Sequence, residues 1–203
     1  MNEDGSNQTP LTNNDVDDWN GFSTYFSPDG NKIVFHSTRN GIEDVYIIDI
    51  DGNNETNLTN NNDGSDSNPL FTPDGTKIIF LSNRNGCCDL FIMNVDGTDQ
   101  INLTNHAEVY SNDRFQCTPD GSKVVYSRIM SVTESHEIWS VDLNDYSHTQ
   151  LSSDRCEDSS ISPDGTKIVF VSSGAIYESN IDIYLMDIDG NNVVNLTQDD
   201  SHN

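Results

Sequence analysis

Short apolar runs alternate with clusters of Asn, Asp, Gly, Ser and Thr along the whole chain. One set of runs is continuous and rich in β-branched and aromatic residues; its members are residues 33–35, 78–80, 124–126 and 168–170. Runs of this kind are typical of strands buried on both faces between neighbouring sheets. Because no helical periodicity accompanies them, the pattern predicts an all-β protein.

A second set of runs begins with an acidic residue and then alternates; its members are residues 44–50, 89–95, 137–143 and 182–188. An aromatic residue holds the third position in every copy; these residues are Tyr46, Phe91, Trp139 and Tyr184. We expect these aromatic side chains to be buried where one sheet faces the next. Truncation to alanine should therefore cost about 3–5 kcal/mol.

A Pro-Asp-Gly tripeptide precedes each run of the first set. The copies are Pro28-Asp29-Gly30, Pro73-Asp74-Gly75, Pro119-Asp120-Gly121 and Pro163-Asp164-Gly165. Proline presets φ for a turn and glycine accepts positive φ, so each copy predicts a tight hairpin. The prolines are 45, 46 and 44 residues apart (73−28, 119−73 and 163−119). A period of this length with four strands per unit predicts β-propeller blades.

A Leu-Thr or Leu-Ser pair marks the last strand of each unit and follows a second turn, usually Asp-Gly. The pairs begin at Leu11, Leu58, Leu103, Leu151 and Leu196, one more than the Pro-Asp-Gly turns. We therefore predict four tandem four-stranded blades, forming either a closed small ring or an open arc. The surplus strand near Leu11 predicts pairing with a blade that this chain does not supply, in a longer parent protein or a neighbouring subunit.

These marks divide the chain into six segments. The predicted segments are an N-terminal segment with the surplus strand (1–14), repeat 1 (15–60), repeat 2 (61–105), repeat 3 (106–153), repeat 4 (154–198) and a tail (199–203).

The repeat resembles the WD40-like Pro-Asp repeat of the TolB-type propellers over about residues 7 to 198. The first unit carries the resemblance in Phe-Ser-Pro-Asp-Gly (26–30), Lys-Ile-Val-Phe (32–35), Ser-Thr-Arg-Asn-Gly (37–41) and Asn-Leu-Thr (57–59). Such repeats occur in a periplasmic scaffold protein, in gating domains of serine peptidases and in pectin-degrading lyases. The resemblance implies a periplasmic, cell-surface or secreted location, although the amino terminus lacks the basic and apolar regions of a signal peptide.

The net charge of −25 disfavours a phosphate-binding role and predicts that no nucleic acid is a partner, because affinity for nucleic acids rests on clustered Lys and Arg. All four lysines follow the repeat's glycine by two residues, which indicates a structural role; they are Lys32, Lys77, Lys123 and Lys167. No apolar run reaches the roughly 20 residues that a membrane-spanning helix needs.

Acidic loops precede each innermost strand and offer candidate cation ligands. Within these loops we predict that Asp18, Asp66, Asp113 and Asp158 hold a divalent cation such as calcium, as in some TolB-like relatives; a merely solvated acidic surface is the alternative. Arg39 and Arg84 each lie five residues before an acid, which predicts structural ion pairs with Asp44 and Asp89.

The chain contains neither a Gly-x-Ser-x-Gly elbow nor a phosphate-binding glycine loop, and its five histidines lack metal-ligand spacing. We therefore predict no catalytic residue and no organic cofactor site. The favoured interpretation is a non-enzymatic scaffold that binds protein partners or associates with itself through edge strands. The alternative is an accessory propeller that gates or binds peptide or carbohydrate for a larger hydrolase or lyase.

Overall fold

The computed structural model describes residues 4–6, 8–12, 24–105, 115–130, 135–153, 156–173 and 181–197. These residues form strands and turns and contain no helix, which confirms the predicted all-β fold. The strands are β1 (Tyr25–Phe26), β2 (Lys32–Ser37), β3 (Asp44–Asp49), β4 (Thr56–Asn57), β5 (Asp66–Phe71), β6 (Lys77–Ser82), β7 (Asp89–Asn94), β8 (Ile101–Asn102), β9 (Gln116–Cys117), β10 (Lys123–Met130), β11 (Ser135–Asp142), β12 (His148–Ser152), β13 (Cys156–Ile161), β14 (Lys167–Ser172), β15 (Asp182–Asp187) and β16 (Val194–Asn195).

The strands form four four-stranded sheets, each from consecutive strands in the order of the chain: β1–β4, β5–β8, β9–β12 and β13–β16. We call these sheets blades 1 to 4. The two apolar runs of each repeat are the two central strands, as in blade 1, where Phe35 of β2 lies opposite Tyr46 of β3. The two apolar runs and the turns between them therefore predicted both the strands and their order within each blade.

Contacts divide the chain into two compact units. The first comprises residues 1–86 and 91–101, and the second comprises residues 87–90 and 102–203. Blade 1 and most of blade 2 belong to the first unit, whereas blades 3 and 4 belong to the second.

In the first unit, one face of blade 1 packs on one face of blade 2. We call the side of blade 1 that carries Val34, Val45 and Leu58 its leading face, and the side of blade 2 that carries Phe71 and Phe80 its trailing face. These residues belong to one buried cluster, with exposures between 0% and 7%. The aromatic residue Phe91 joins the same cluster, which confirms its predicted burial at the contact between sheets.

The second unit repeats this arrangement. The leading face of blade 3, carrying Val125, Ile138 and Leu151, shares a buried cluster with Ile168 and Phe170 of the trailing face of blade 4. Tyr184 packs against the same cluster. Apolar packing of one sheet on the next supplies the core, as expected for repeats that each cannot bury an apolar face alone.

Two glycine contacts fix how neighbouring blades meet. A Cβ placed on Gly97 of blade 2 would lie 2.8 Å from the carbonyl oxygen of Leu58 in blade 1, and one on Gly190 would lie 2.9 Å from that of Leu151. Both glycines also have positive φ, so side chains are excluded there by conformation and by space. Leu58 and Leu151, which mark the last strands of blades 1 and 3, therefore rest on the second turn of the following blade.

Candidate functional site

The aspartates of the Pro-Asp-Gly turns hold the turns together. In blade 3, the hydroxyl of Thr118 donates to Oδ1 of Asp120 at 2.6 Å, and the backbone N–H of Ser122 donates to the same oxygen at 3.0 Å. These hydrogen bonds favour the ionised carboxylate and lower the pKa of Asp120 to about 2. The pKa values of Asp29 and Asp164 fall to about 2 for the same reason.

The lysines have the structural role that their position predicts. Lys123 forms an ion pair with Asp142 at 3.2 Å, and Nζ of Lys77 donates to Oδ1 of Asn94 at 2.9 Å. In each case the lysine opens the second strand of a blade and its partner closes the third. These cations are therefore engaged within their own blades.

A hydrogen-bonded latch joins the third and fourth strands of blades 1, 2 and 4. In blade 2, Asn102 Nδ2 donates to Asp89 Oδ2 at 2.8 Å, and the hydroxyl of Thr104 donates to Asp89 Oδ1 at 2.9 Å. The same hydroxyl accepts the backbone N–H of Leu90 at 3.0 Å. The Asn-Leu-Thr motif and the acid that opens the third strand thus act as one structural unit.

Arg84 lies in a largely buried cage in blade 2. Its guanidinium donates to Asp66 Oδ2 at 2.7 Å and to Gln100 Oε1 at 2.6 Å, and its carbon Cζ lies 4.8 Å from the ring centre of Phe91. Arg39 has the corresponding position in blade 1 and forms an ion pair with Glu55.

The predicted ion pairs of Arg39 with Asp44 and of Arg84 with Asp89 are therefore wrong. Both aspartates are held by the asparagine and threonine of their own latches instead, as Asp44 is by Asn57. The arginines turn toward acids brought near by the fold. Asp66 lies 18 residues before Arg84, a pairing that no local spacing indicates.

The four candidate cation ligands have different surroundings. The side chain of Asp66 is fully buried; Arg84 and Asn61 donate to its Oδ2, while its Oδ1 is buried without a hydrogen bond. Asp158 is exposed. Asp18 and Asp113 lie outside the described residues. Within the described part of the chain, no three His, Cys, Asp or Glu residues form a group able to hold a metal. Calcium binding at these four positions stays a prediction.

The leading face of blade 4 differs from its counterparts in exposure. Val169, Ile183 and Leu196 are 37%, 42% and 55% exposed. The equivalent residues of blade 1 are 0%, 0% and 7% exposed; they are Val34, Val45 and Leu58. The apolar surface that is buried in blade 1 is therefore exposed to solvent at the equivalent positions of blade 4. Exposed apolar surface of this kind is typical of interaction sites.

The trailing face of blade 1 is also partly open. Phe26 is 62% exposed and Ile50 is 50% exposed, whereas Phe71, the equivalent of Phe26 in blade 2, is 5% exposed. Ile33, Phe35, Tyr46 and Ile48 of this face form a buried cluster. The exposure on this face is therefore confined to Phe26 and Ile50. The sequence pattern did not reveal the exposed positions of either blade, because their side chains match those of the buried positions in type and spacing.

Four tandem sheets built on this repeat define a β-propeller protein. The family profile PD40, the TolB beta propeller domain, matches residues 8–203, and the chain belongs to this family. This assignment confirms the resemblance drawn from the repeat. No curated protein matches the chain. Among the residues that the structure describes, none form a helix long and apolar enough to cross a membrane.

Three solved structures illustrate the relatives. TolB from Acinetobacter baumannii is 25% identical, with a TM-score of 0.63 and coverage of 83% of this chain and 41% of that one. Oligogalacturonate lyase from Vibrio parahaemolyticus is 15% identical, with a TM-score of 0.68 and coverage of 85% of this chain and 50% of that one. A puromycin-hydrolysing peptidase of Mycobacterium tuberculosis is 15% identical, with a TM-score of 0.67 and coverage of 85% of this chain and 28% of that one. The chain thus spans at most half the length of these proteins.

Proposed function

We propose that the chain is a non-catalytic protein-binding module and that the leading face of blade 4 is its binding surface. The exposure of Val169, Ile183 and Leu196 carries this proposal, because the same positions are buried against a neighbouring sheet elsewhere in the chain. Burial of these side chains by a partner would be driven by the hydrophobic effect.

The polar groups support a binding role rather than a chemical one. The repeat's aspartates, lysines and latch residues are engaged in hydrogen bonds and ion pairs within their own blades, as in the Asp89, Asn102 and Thr104 latch. Residues with this role stabilise the scaffold. The net charge of −25 favours a partner without a large acidic surface.

Selection from a displayed peptide library tests the proposal. The immobilised chain should enrich apolar sequences that the variant Leu196→Asp does not retain, because a buried, unpaired carboxylate is costly at an apolar interface. The matched control is Ile101→Asp, which adds the same charge at a residue that is 40% exposed and belongs to blade 2 rather than to blade 4. Equal enrichment by the chain and by Leu196→Asp would refute the proposal.

The second candidate function is that of an accessory propeller serving a hydrolase or lyase. The solved structures of an oligogalacturonate lyase and of a peptidase favour it, because the chain matches part of each. In that case the chain should bind oligogalacturonate or peptide with little dependence on Leu196. Calorimetric titration with these ligands separates the two candidates.

The TolB relatives also support a periplasmic, cell-surface or secreted location as part of this proposal. A fusion of the full-length natural protein to a reporter that is active only outside the cytoplasm would test it.

A further inference from the structure

Two adjacent cysteines lie in the loop that joins β6 to β7 of blade 2. The loop begins with a turn in which the N–H of Gly86 donates to the carbonyl oxygen of Asn83 at 2.8 Å. Cys87 and Cys88 follow this turn and directly precede β7. Both are partly exposed and neither is in a disulfide, whereas Cys156 is 0% exposed. Small solutes therefore reach the thiols of this loop more readily than the thiol of Cys156.

The equivalent loop of blade 1 shows that the fold does not require thiols at these positions. Both loops run from a serine at the end of the second strand, through an Arg-Asn-Gly turn, to the aspartate that opens the third strand; they are residues 37–44 and 82–89. Ile42 and Glu43 hold the places of the two cysteines in blade 1, and they are partly exposed as well. Turn formation and packing therefore do not explain the cysteines. The thiol pair is chemistry that blade 2 adds to a loop that forms without it.

We propose that Cys87 and Cys88 form a reversible thiol–disulfide site that takes small uncharged or cationic disulfides as oxidants. The site shares no residue with the binding surface proposed on blade 4, so it goes beyond the proposed function. In the first step one cysteine sulfur bonds to a sulfur of the small disulfide R–S–S–R, whose S–S bond breaks, and R–SH leaves with the thiol proton. In the second step the other cysteine sulfur attacks the first in this mixed disulfide, and a second R–SH leaves with the second proton. Two cysteine thiols are thereby oxidised and one small disulfide is reduced to two thiols.

Adjacency of the two cysteines favours ring closure and also makes the product easy to reduce. The Cα atoms of neighbouring residues are about 3.8 Å apart across a trans peptide, closer than the roughly 4.4–6.8 Å of ordinary disulfides. The second thiol is therefore held next to the first, whereas the closed ring stores strain and is more reducible than a structural disulfide. Neither cysteine belongs to a strand, so ring closure does not unpair β6 from β7. These properties are those of a site that opens and closes with the surrounding redox conditions.

The charge of the chain selects among oxidants. A net charge of −25 repels anionic disulfides such as glutathione disulfide and attracts cationic ones such as cystamine. One of the carboxylates belongs to Asp89, the residue next to Cys88. Cystamine should therefore react roughly tenfold faster than glutathione disulfide, and added NaCl should narrow the difference by screening.

The thiol pair also adjoins the latch of blade 2. Cys88 directly precedes Asp89, whose carboxylate accepts hydrogen bonds from Asn102 at 2.8 Å and from Thr104 at 2.9 Å. The strain of a closed ring acts first on the backbone of Cys88, so oxidation should loosen the start of β7. The N–H of Leu90, which donates to Thr104 Oγ1 at 3.0 Å, reports this change.

Tryptic mass spectrometry of the full chain tests the proposal, because cleavage after Lys and Arg separates the thiol pair from the other cysteines. The peptides are 85–114 with Cys87 and Cys88, 115–123 with Cys117, and 156–167 with Cys156. The folded chain is treated with cystamine, and the remaining thiols are then alkylated in denaturant. Peptide 85–114 should lose two hydrogen atoms and escape alkylation, whereas peptide 156–167 should be alkylated. A monothiol such as 2-mercaptoethanol should restore the reduced peptide. A peptide 85–114 that stays reduced, ends as a mixed disulfide or is joined to another peptide would overturn the proposal.

Two variants make the test specific. The double variant Cys87→Ile, Cys88→Glu gives this loop the residues of blade 1, so it should fold as the unaltered chain does and lose the response to cystamine. Cys88→Ser should stop at the mixed disulfide, because the second sulfur is missing. Phenylarsine oxide, which bridges two neighbouring thiols, should bind the unaltered chain and block oxidation, and it should bind Cys88→Ser far more weakly. Circular dichroism and urea unfolding verify that the variants are folded.

The remaining measurements test the charge selection and the coupling to the latch. The rates with cystamine and with glutathione disulfide are each divided by the rate of the same disulfide with dithiothreitol, which removes their intrinsic difference in reactivity. Equal normalised rates would overturn selection by charge. Amide exchange at Leu90 should accelerate severalfold on oxidation, return on reduction and stay constant in the double variant. Exchange that oxidation leaves unchanged would overturn the coupling, and equal binding of phenylarsine oxide to Cys88→Ser would overturn the pairing of the two thiols.

Discussion

The latch threonines of blades 2 and 4 make the same hydrogen bonds in different surroundings. Thr104 and Thr197 each accept a backbone N–H from the third strand, at 3.0 and 2.9 Å, and each donates to the acid that opens that strand, both at 2.9 Å. Thr104 is 7% exposed, whereas Thr197 is exposed. Replacement of each threonine by valine therefore isolates the effect of burial on identical chemistry.

We expect Thr104→Val to lower the free energy of unfolding by about 2–5 kcal/mol. Valine preserves the shape of threonine but leaves the N–H of Leu90 without its acceptor, and Leu90 is 0% exposed. A buried donor without an acceptor costs about 1–3 kcal/mol, and loss of a hydrogen bond to a carboxylate costs about 1.5–3 kcal/mol, partly offset by burial of the added methyl group. Thr197→Val should cost at most about 1 kcal/mol, because water can replace both bonds.

Urea unfolding measures both losses, and amide hydrogen exchange localises them. Exchange at Leu90 should accelerate about tenfold or more in Thr104→Val, since 1.4 kcal/mol corresponds to a factor of ten. Exchange at Ile183 in Thr197→Val should change far less. The reasoning is refuted if the two variants lose the same free energy of unfolding, within about 0.5 kcal/mol.

Three further predictions concern charged and buried groups. Arg84→Met should lower the free energy of unfolding by about 3–5 kcal/mol, because it leaves the buried carboxylate of Asp66 without its cation, and adding Asp66→Asn should recover most of the loss in urea unfolding. The pKa of Asp120 is about 2, against an ordinary value of 3.8, so its ionised carboxylate contributes stability above pH 3.8 that is lost as the pH falls toward 2. Thr118→Val should return this pKa toward 3.8 in an NMR titration. Burial raises the pKa of Tyr126 from 10.0 to about 12, so the stability that its neutral phenol contributes is fully present below pH 10 and is lost as the pH rises through 12. Ultraviolet titration should show this late ionisation, and Tyr126→Phe should remove it.

Each of these predictions has an outcome that contradicts it. A double variant no more stable than Arg84→Met would show that the loss came from the side chain's packing on Phe91 rather than from the unpaired charge. An unchanged pKa of Asp120 in Thr118→Val would assign its low value to the turn's backbone N–H groups. A late ultraviolet step that persists in Tyr126→Phe would belong to another tyrosine.

Local sequence determined the blades themselves. The Pro-Asp-Gly turns, the two apolar runs and the Asn-Leu-Thr mark predicted the strand positions, because turn conformation and alternation depend on neighbouring residues. The structural role of the lysines followed from their constant place in the repeat. Each of these features lies within one repeat and recurs in the other repeats of the chain, so one sequence was enough to recognise them.

Tertiary structure alone decided which surfaces and charges are available. Leu58 and Leu196 occupy the same position in nearly identical motifs, yet they are 7% and 55% exposed, because only Leu58 has a packed blade in front of it. Asp89 is closer to Arg84 in the sequence, yet Arg84 pairs with Asp66, because the fold brings β5 beside the turn that follows β6. Burial and ion pairing depend on what packs against a residue, and the local pattern is the same whether or not a neighbour is present.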